Sequence, residues 1–377
     1  MKKIFLFILL IPFMTGCSYI ELEDLAIASA IGIDYEDNSF VLTAQIMNVT
    51  TGEMGTTEED ALIYEGSGRT VSEAVRDFSV KYPKNIYFGH LEILVLSKDI
   101  MENHLNEVLD YFFKSPETRT SGYILVNDED SARNTLNPKN EKKDSFPAED
   151  IKSILMDSTK RTGTVKDVTL EEFAVDYLKK GYSPILPVIN IRDRKGMTTS
   201  KIELYNMAVL NDDRKLVRLD KKSSIAYNTL KENYTDVSII STYKGHSLGP
   251  IIYHPKSKVE LKLSNNGIDV NIKIKAESII SNANGIDQTK DKMHRILENN
   301  IERSLNSYTD SLINFCKENN ADVLGLRNMI YKNYNSEYKN YKDKNIYEMA
   351  NFKKDTKIRI YRYGNTNQGG KSKWMER

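Results

Sequence analysis

The chain has 377 residues, in which 53 lysines and arginines are balanced by 53 aspartates and glutamates. With 40% hydrophobic and 28% charged residues, it has the composition of a folded protein of about two domains rather than of a disordered chain. Its zero net charge gives no bulk attraction to nucleic acid, so we expect no nucleic-acid partner. Two cysteines exclude a disulfide scaffold and a multi-cysteine zinc site.

Residues 1–16 have the pattern of a secretion signal. Lys2 and Lys3 precede an apolar run that ends at Met14 and would be about 17 Å long as a helix, too short for a hydrocarbon layer of roughly 30 Å. The ending Met14-Thr15-Gly16-Cys17 resembles a bacterial lipobox. We therefore predict that Cys17 becomes the first mature residue and carries a diacylglyceryl and an N-acyl group, because two acyl chains make a stable anchor. The alternative is an ordinary secretory peptide followed by an incidental cysteine.

The residues after the signal predict an N-terminal α/β domain over 17–195. Alternating apolar residues on both sides of positions 35–38 predict a β-hairpin. Strands at 61–64, 91–96 and 123–126 and helices at 71–78 and 105–112 follow it, which indicates an α/β arrangement. Thr169 and Glu172 predict a capping box at the start of a further helix. The polar stretch 137–150 predicts an exposed linker, where this domain would divide if it forms two subdomains.

A C-terminal domain is predicted over 196–364, followed by a disordered tail at 365–377. Apolar residues alternate at 259–263 and 268–274 around Asn265-Asn266-Gly267, which predicts a hairpin. A long amphipathic helix is predicted over 287–318 and a final strand over 357–363. The predicted fold class is α+β, with several domains of mixed sheets and packed helices, in which the C-terminal domain is an antiparallel sheet covered by the long helix.

Catalytic and metal motifs are sparse in this sequence. Gly245-His246-Ser247-Leu248-Gly249 matches the nucleophile elbow of α/β-hydrolases, but an elbow needs a helix directly after the serine, and Pro250 and Pro255 favour a turn between strands. Ser247 is therefore the only candidate nucleophile that the sequence offers for a serine hydrolase. The histidines lack the spacing and carboxylates of a metal site. We expect no catalytic residue, no metal and no cofactor, and we interpret Cys316 as a buried hydrophobe.

Four tyrosines near the C-terminus have a helical spacing. They are Tyr331, Tyr334, Tyr338 and Tyr341, and their separations of three, four and three residues place them on one face of a helix. From residue 331 onward there are 12 lysines and arginines against 5 acidic residues. This region is either a docking surface for an anionic partner or a tyrosine stripe that packs on the sheet.

Several short motifs, taken in order, resemble one known family. They are the lipobox, residues 21–26, Ala30-Ile31-Gly32-Ile33-Asp34, Ser67-Gly68-Arg69-Thr70-Val71-Ser72-Glu73-Ala74, Gly89-His90, Asp110-Tyr111-Phe112-Phe113 with Glu117 and Arg119, Pro184-Ile185-Leu186-Pro187, and Asp322-Val323-Leu324-Gly325-Leu326. The chain is similar to the C-subunit lipoproteins of spore germinant receptors, the Ger(x)C family. The resemblance covers nearly the whole mature chain.

The resemblance implies a lipid-anchored, non-enzymatic subunit of a nutrient germinant receptor. Such a subunit would lie on the outer face of the spore inner membrane, held by the lipid on Cys17 and joined to two integral-membrane partners. The alternatives are a lipoprotein that binds a solute between two matched lobes, and a cell-envelope serine hydrolase that uses Ser247. Neither the nutrient nor direct small-molecule binding by this subunit follows from the sequence.

Overall fold

The computed structural model describes residues 25–51, 57–136, 147–192, 201–231, 233–264, 267–282 and 291–362. The signal peptide, Cys17, the boundary near residue 196 and the tail at 365–377 lie outside these ranges and stay predictions. No helix in the described ranges is both long enough and apolar enough to cross a membrane.

Two β-sheets with packed helices form the described structure, as the α+β prediction required. The strands of the first sheet are β1 (Leu25–Glu36), β2 (Ser39–Thr51), β3 (Thr57–Gly68), β4 (Asn85–Tyr87), β5 (Ile93–Ser97), β6 (Tyr123–Asn127), β7 (Ile185–Arg192), β8 (Lys201–Leu210) and β9 (Leu216–Arg218). Their order is β3-β2-β1-β5-β6-β7-β8-β9, with β4 paired to the start of β1. Strands β1, β5, β6 and β7 run parallel, and the outer strands are antiparallel.

The helices of this half cover both faces of the first sheet. They are α1 (Val71–Lys81), α2 (Leu105–Lys114), preceded by a π-helical turn (Ile100–His104), α3 (Ala132–Leu136), α4 (Pro147–Thr162) and α5 (Leu170–Leu178). Leu94 faces the core under α1, α2 and α5, whereas its neighbours Ile93 and Val95 face the core under α3 and α4. Central strands are buried on both sides for this reason, which explains their continuous apolar runs.

Residues 147–150 correct the prediction of an exposed linker over 137–150. Pro147 begins α4, where a missing N–H costs nothing, and Glu149 and Asp150 complement the positive end of the helix dipole. Ala148 is fully buried, and its N–H donates to Gln45 Oε1 over 3.0 Å. Residues 137–146 lie outside the described ranges.

The second sheet contains the long hairpin, and the long helix packs on it. Its strands are β10 (Asp236–Ser238), β11 (Ser241–Tyr243), β12 (His246–Ser264), β13 (Gly267–Asn282) and β14 (Ala350–Arg362). The remaining helices are α6 (Lys221–Lys231), α7 (Asp291–Glu318), α8 (Leu326–Asn333), α9 (Asn335–Tyr338) and α10 (Ile346–Met349). Leu297, Ile301 and Leu305 of α7 share one core with Val270 and Ile272 of β13. The predicted sheet covered by a long helix is confirmed.

One feature of this sheet differs from the prediction. Strands β12 and β13 are antiparallel, but β14 pairs with β13 in parallel, so the sheet is mixed. The reason is the connection: α7 to α10 carry the chain back across the sheet before β14 begins, and a crossover of this length joins parallel strands. The first sheet also continues beyond residue 196, because β8 and β9 belong to it.

Candidate functional site

A groove on the first half brings two of the sequence motifs together. We call it the Arg69 groove. Its volume is about 640 Å³, and its lining residues are Tyr35, Phe40, Arg69, Thr70, Val71, Ser72, His104, Glu107, Asp110, Tyr111, Lys114 and Ser115. Residues 69–72 come from the motif at 67–74, and Asp110 and Tyr111 come from the motif at 110–113. Motifs about 40 residues apart in sequence therefore form one concave surface.

Most of the motif at 67–74 serves the packing of α1. Gly66, the residue directly before the motif, lies against Ala74 of the motif: a Cβ on Gly66 would lie 2.1 Å from the carbonyl oxygen of Ala74, so only glycine allows α1 to lie this close to β3. Thr70 caps the helix by accepting the N–H of Glu73, and the Glu73 carboxylate accepts the N–H of Arg69. The side chains of Arg69 and Ser72 are exposed and are left for the groove.

Aromatic rings form one wall of the Arg69 groove. His104 ends the π-helical turn and stacks on Tyr35, with ring centroids 3.7 Å apart. Phe40 meets the same imidazole edge-on at 5.5 Å, and Glu107 lies 3.5 Å from its Nδ1 atom. Sequence reasoning missed His104, Tyr35 and Phe40, because a histidine inside a helical pattern gives no signal of the rings that it will meet. The groove thus offers an apolar wall beside both signs of charge.

The motif at 322–326 forms a buried polar network that joins the two halves. The Asp322 carboxylate accepts the N–H groups of Gly325, Leu326 and Arg327 over 2.8 to 2.9 Å and the Tyr347 hydroxyl over 2.9 Å. Its own N–H donates to Ser183 Oγ, next to the start of β7. Burial raises the pKa of Asp322, and hydrogen bonds and the Arg327 charge offset part of that effect.

Arg327 extends the Asp322 network to the turn between β8 and β9. Its guanidinium forms two hydrogen bonds to the carboxylate of Asp212, one of them 2.6 Å long, and its Nε lies 3.6 Å from Asp322 Oδ2. The side chain is 6% exposed, so the ion pair is largely shielded from water. The contact with Asp212 joins residues 115 positions apart, so neither half alone would supply the full set of partners.

The structure does not form the elbow that Ser247 would need. Lys244 and Gly245 have φ values of +48° and +82° and turn β11 into β12, as in a two-residue hairpin. Ser247 pairs with Thr242 inside this hairpin, and strand β12 continues to residue 264. The predicted turn between strands is confirmed. Among the residues that the structure describes, no three His, Cys, Asp or Glu side chains group closely enough to hold a metal ion.

The C-terminal tyrosines and Cys316 have packing roles. Helix α8 ends before Tyr334 and α9 begins after it, so the prediction of one continuous helical face is wrong. All four tyrosines are nevertheless half-buried; Tyr334, Tyr338 and Tyr341 pack on the second core, and the Tyr331 and Tyr338 rings are 5.1 Å apart. This favours the packing interpretation. Cys316 is fully buried and unpaired in that core, as predicted.

The fold and its sites define a two-sheet α+β protein with a surface groove of mixed charge and a buried network between its halves. Comparison with protein families gives two matches. Residues 18–191 match the family model described as spore germination protein N-terminal domain, and residues 205–364 match the C-terminal model described as spore germination B3/GerAC-like. The chain therefore belongs to the GerAC family of spore germination proteins.

Individual relatives agree with the family. The chain is 24% identical to spore germination protein KC of Bacillus subtilis (strain 168) over 351 residues, which are 86% of this chain and 85% of that protein. It is 22% identical to spore germination protein B3 of the same strain, over 93% of this chain and 95% of that protein. The crystal structure of the GerBC protein has the same fold, with a TM-score of 0.56 at 20% identity over 88% of this chain and 96% of that chain.

Proposed function

We propose that this chain is a lipid-anchored, non-enzymatic subunit of a nutrient germinant receptor. A diacylglyceryl and an N-acyl group on Cys17 hold it on the outer face of the spore inner membrane, where it assembles with two integral-membrane subunits. Membership of the GerAC family over both halves of the chain carries the proposal. The first family match begins at residue 18. This residue directly follows Cys17, which would be the first residue of the mature lipoprotein.

Chain length limits how far the folded part can lie from the membrane. Leu25, the first residue of β1, is eight residues after Cys17, and an extended chain of that length reaches about 28 Å. Asn85 of β4 pairs with Leu25, so this end of the first sheet faces the bilayer in our proposal. Two acyl chains suffice for stable attachment without a membrane-spanning helix.

The alternatives find less support in the structure. A solute-binding lipoprotein would need two matched lobes, but within the described residues the first sheet has nine strands and the second has five with a different topology. A serine hydrolase would need Ser247 on a strand-to-helix turn, and Ser247 lies near the start of a 19-residue strand.

Replacing Cys17 by alanine tests the anchor. We expect the Cys17→Ala chain to leave the membrane fraction of spores and to be lost from pull-downs of the membrane subunits. Cys316→Ala is the matched control, since it removes the other cysteine, and it should fractionate as the wild type does. Mass spectrometry of the wild-type amino terminus should show a lipidated Cys17. An unmodified Cys17, or membrane retention of Cys17→Ala, would exclude the lipid anchor.

A separate experiment tests the receptor role. Spores that lack this chain should lose the response to at least one nutrient while keeping germination by agents that bypass receptors. Unchanged responses to every nutrient that wild-type spores answer would refute the receptor role and leave the anchor result untouched.

A further inference from the structure

Another groove lies on the second half, between the start of α6, the connection from β10 to β11, and α7. We call it the Lys222 groove. Its volume is about 590 Å³, and its lining residues are Lys222, Ile240, Ser241, Thr242, Asn300, Arg303, Ser304, Ser307 and Tyr308. None of these residues is acidic, and all of them except Ile240 carry a hydroxyl, amide or cationic group. The groove is separate from the Arg69 groove and the Asp322 network.

Helix α7 segregates its charges between two faces. The groove residues at 300, 303, 304, 307 and 308 follow the spacing of one helical face. Carboxylates of the same helix point to β14 instead: Glu298 and Glu302 accept the N–H groups of Ile360 and Ile358 over 2.9 and 3.0 Å. The helix therefore uses its acids to satisfy the edge of the second sheet and presents a polar, cationic face to the groove.

Two cations in the Lys222 groove have no acidic partner. Neither Lys222 nor Arg303 forms a salt bridge with any residue that the structure describes. Lys222 lies with its Nζ atom 5.8 Å from the centroid of the Tyr308 ring. Arg303 is oriented by hydrogen bonds to Asn300 Oδ1 over 2.7 Å and to the carbonyl of Asn299 over 3.2 Å, which leaves its remaining N–H groups for a ligand.

Hydroxyl groups and an apolar wall complete the site. Ser241 is 2% exposed, and its Oγ lies 3.0 Å from that of Ser304, so the floor of the groove is fixed by the protein's own hydrogen bonds. Ser307 supplies a further hydroxyl at the surface. Ile240 is 69% exposed, and its N–H donates to the Tyr308 hydroxyl over 3.2 Å, which holds the apolar wall in place.

We infer that the Lys222 groove binds a molecule that carries a phosphate monoester. Such a group has a charge of about −1.5 to −2 at neutral pH and three strong acceptor oxygens. Lys222 and Arg303 balance that charge, and the guanidinium and hydroxyl groups supply donors to the oxygens. A carboxylate would leave one cation unbalanced. The volume exceeds that of phosphate alone, so the rest of the molecule lies against Ile240 and Tyr308.

Calorimetric titration of the full-length chain in a neutral detergent tests this inference. Phenyl phosphate is the probe, because its ring can lie on Ile240 while its phosphate meets the two cations. We expect saturable binding that weakens about tenfold or more in Lys222→Gln and in Arg303→Gln, since each substitution removes a charge-assisted contact. Lys332→Gln, which removes an exposed lysine of α8 outside the groove, should leave the affinity unchanged.

Further measurements distinguish a soluble phosphate ester from a lipid headgroup and detect misfolded variants. Inorganic phosphate should bind more weakly than phenyl phosphate, and Ile240→Ser should remove that difference without changing the circular dichroism spectrum. A short-chain soluble phosphatidic acid that binds while phenyl phosphate does not would assign the group to a lipid headgroup. Failure of both probes up to about 10 mM, or equal binding of benzoate by the wild-type chain, would overturn the inference.

Discussion

Replacing Asp322 by alanine should destabilise the fold by about 3 to 5 kcal/mol. The carboxylate accepts the N–H groups of Gly325, Leu326 and Arg327, and it is fully enclosed by protein. Each buried donor left without a partner costs about 1 to 3 kcal/mol, and the Arg327 charge loses one of its two acidic neighbours. Water that enters the space left by the side chain would offset part of the summed cost of the unpaired donors. The expected destabilisation is therefore smaller than the full sum.

Urea unfolding followed by far-ultraviolet circular dichroism measures this effect. The single tryptophan is Trp374, outside the described residues, so fluorescence would not report on the network. Asp310→Ala is the control, because that carboxylate pairs with Lys354 at an exposed position where an ion pair contributes about 1 kcal/mol or less. If Asp322→Ala lowers the free energy of unfolding by no more than Asp310→Ala, the reasoning is refuted.

A double-mutant cycle then isolates one bond of the network. Tyr347 donates to Asp322 Oδ1 over 2.9 Å, and its hydroxyl also accepts the N–H of Leu324 over 3.2 Å. Tyr347→Phe should cost about 1 to 3 kcal/mol in the wild type and less in the Asp322→Ala background, because the pair is directly coupled. Strict additivity of the two substitutions would contradict the hydrogen bond between them.

Three further predictions concern packing, pH and thiol reactivity. Gly66→Ala should destabilise the chain by about 1 to 3 kcal/mol, since the new methyl would overlap the carbonyl of Ala74; thermal unfolding measures it. Glu102→Gln should cost about 1 kcal/mol at pH 7: burial opposes ionisation, but hydrogen bonds from Leu216 and Lys215 outweigh it and lower the pKa of Glu102. Cys316 should not react with a thiol reagent in the native chain at pH 8, because burial raises its pKa.

Each of these has a result that would count against it. Gly245→Ala is the control for Gly66→Ala, since its Cβ would meet no atom within 4 Å and only the positive φ is strained; equal losses would discount the overlap. The Glu102 contribution should be full above the unfolded pKa of about 4.3 and vanish as pH falls through the lower folded value. A difference that grows in acid would show the wrong sign. Thiol labelling of Cys316 before unfolding would contradict its burial.

Local signals predicted the parts of the fold that local chemistry governs. Thr169 and Glu172 form the predicted capping box at the start of α5, with both hydrogen bonds present. The alternation around Asn265 and Gly267 located the hairpin, although its strands are longer than the pattern indicated. Periodicity reports a buried face and a turn, but β12 and β13 continue past the clear alternation because their partner strands supply hydrogen bonds there.

Contacts between distant segments lay beyond sequence reasoning. The direction of β14 follows from how α7 crosses the sheet, and an apolar alternation is the same for parallel and antiparallel pairing. The Arg69 groove required α1 and α2 to meet beside Tyr35, and the Lys222 groove required α6 and α7 to meet beside Ile240. No spacing along the chain encodes such a meeting.

The sequence by itself determined the class of the molecule: the apolar run and Cys17 predict an anchor, the motif order identifies the family, and short-range patterns locate most helices and strands. Tertiary structure decided which motif residues face a groove and which only pack. Arg69 and Ala74 belong to one motif, yet Arg69 is exposed in the groove and Ala74 is fully buried in the core. The physical reason is that burial and charge pairing depend on neighbours brought by folding, and these are set by the whole chain at once.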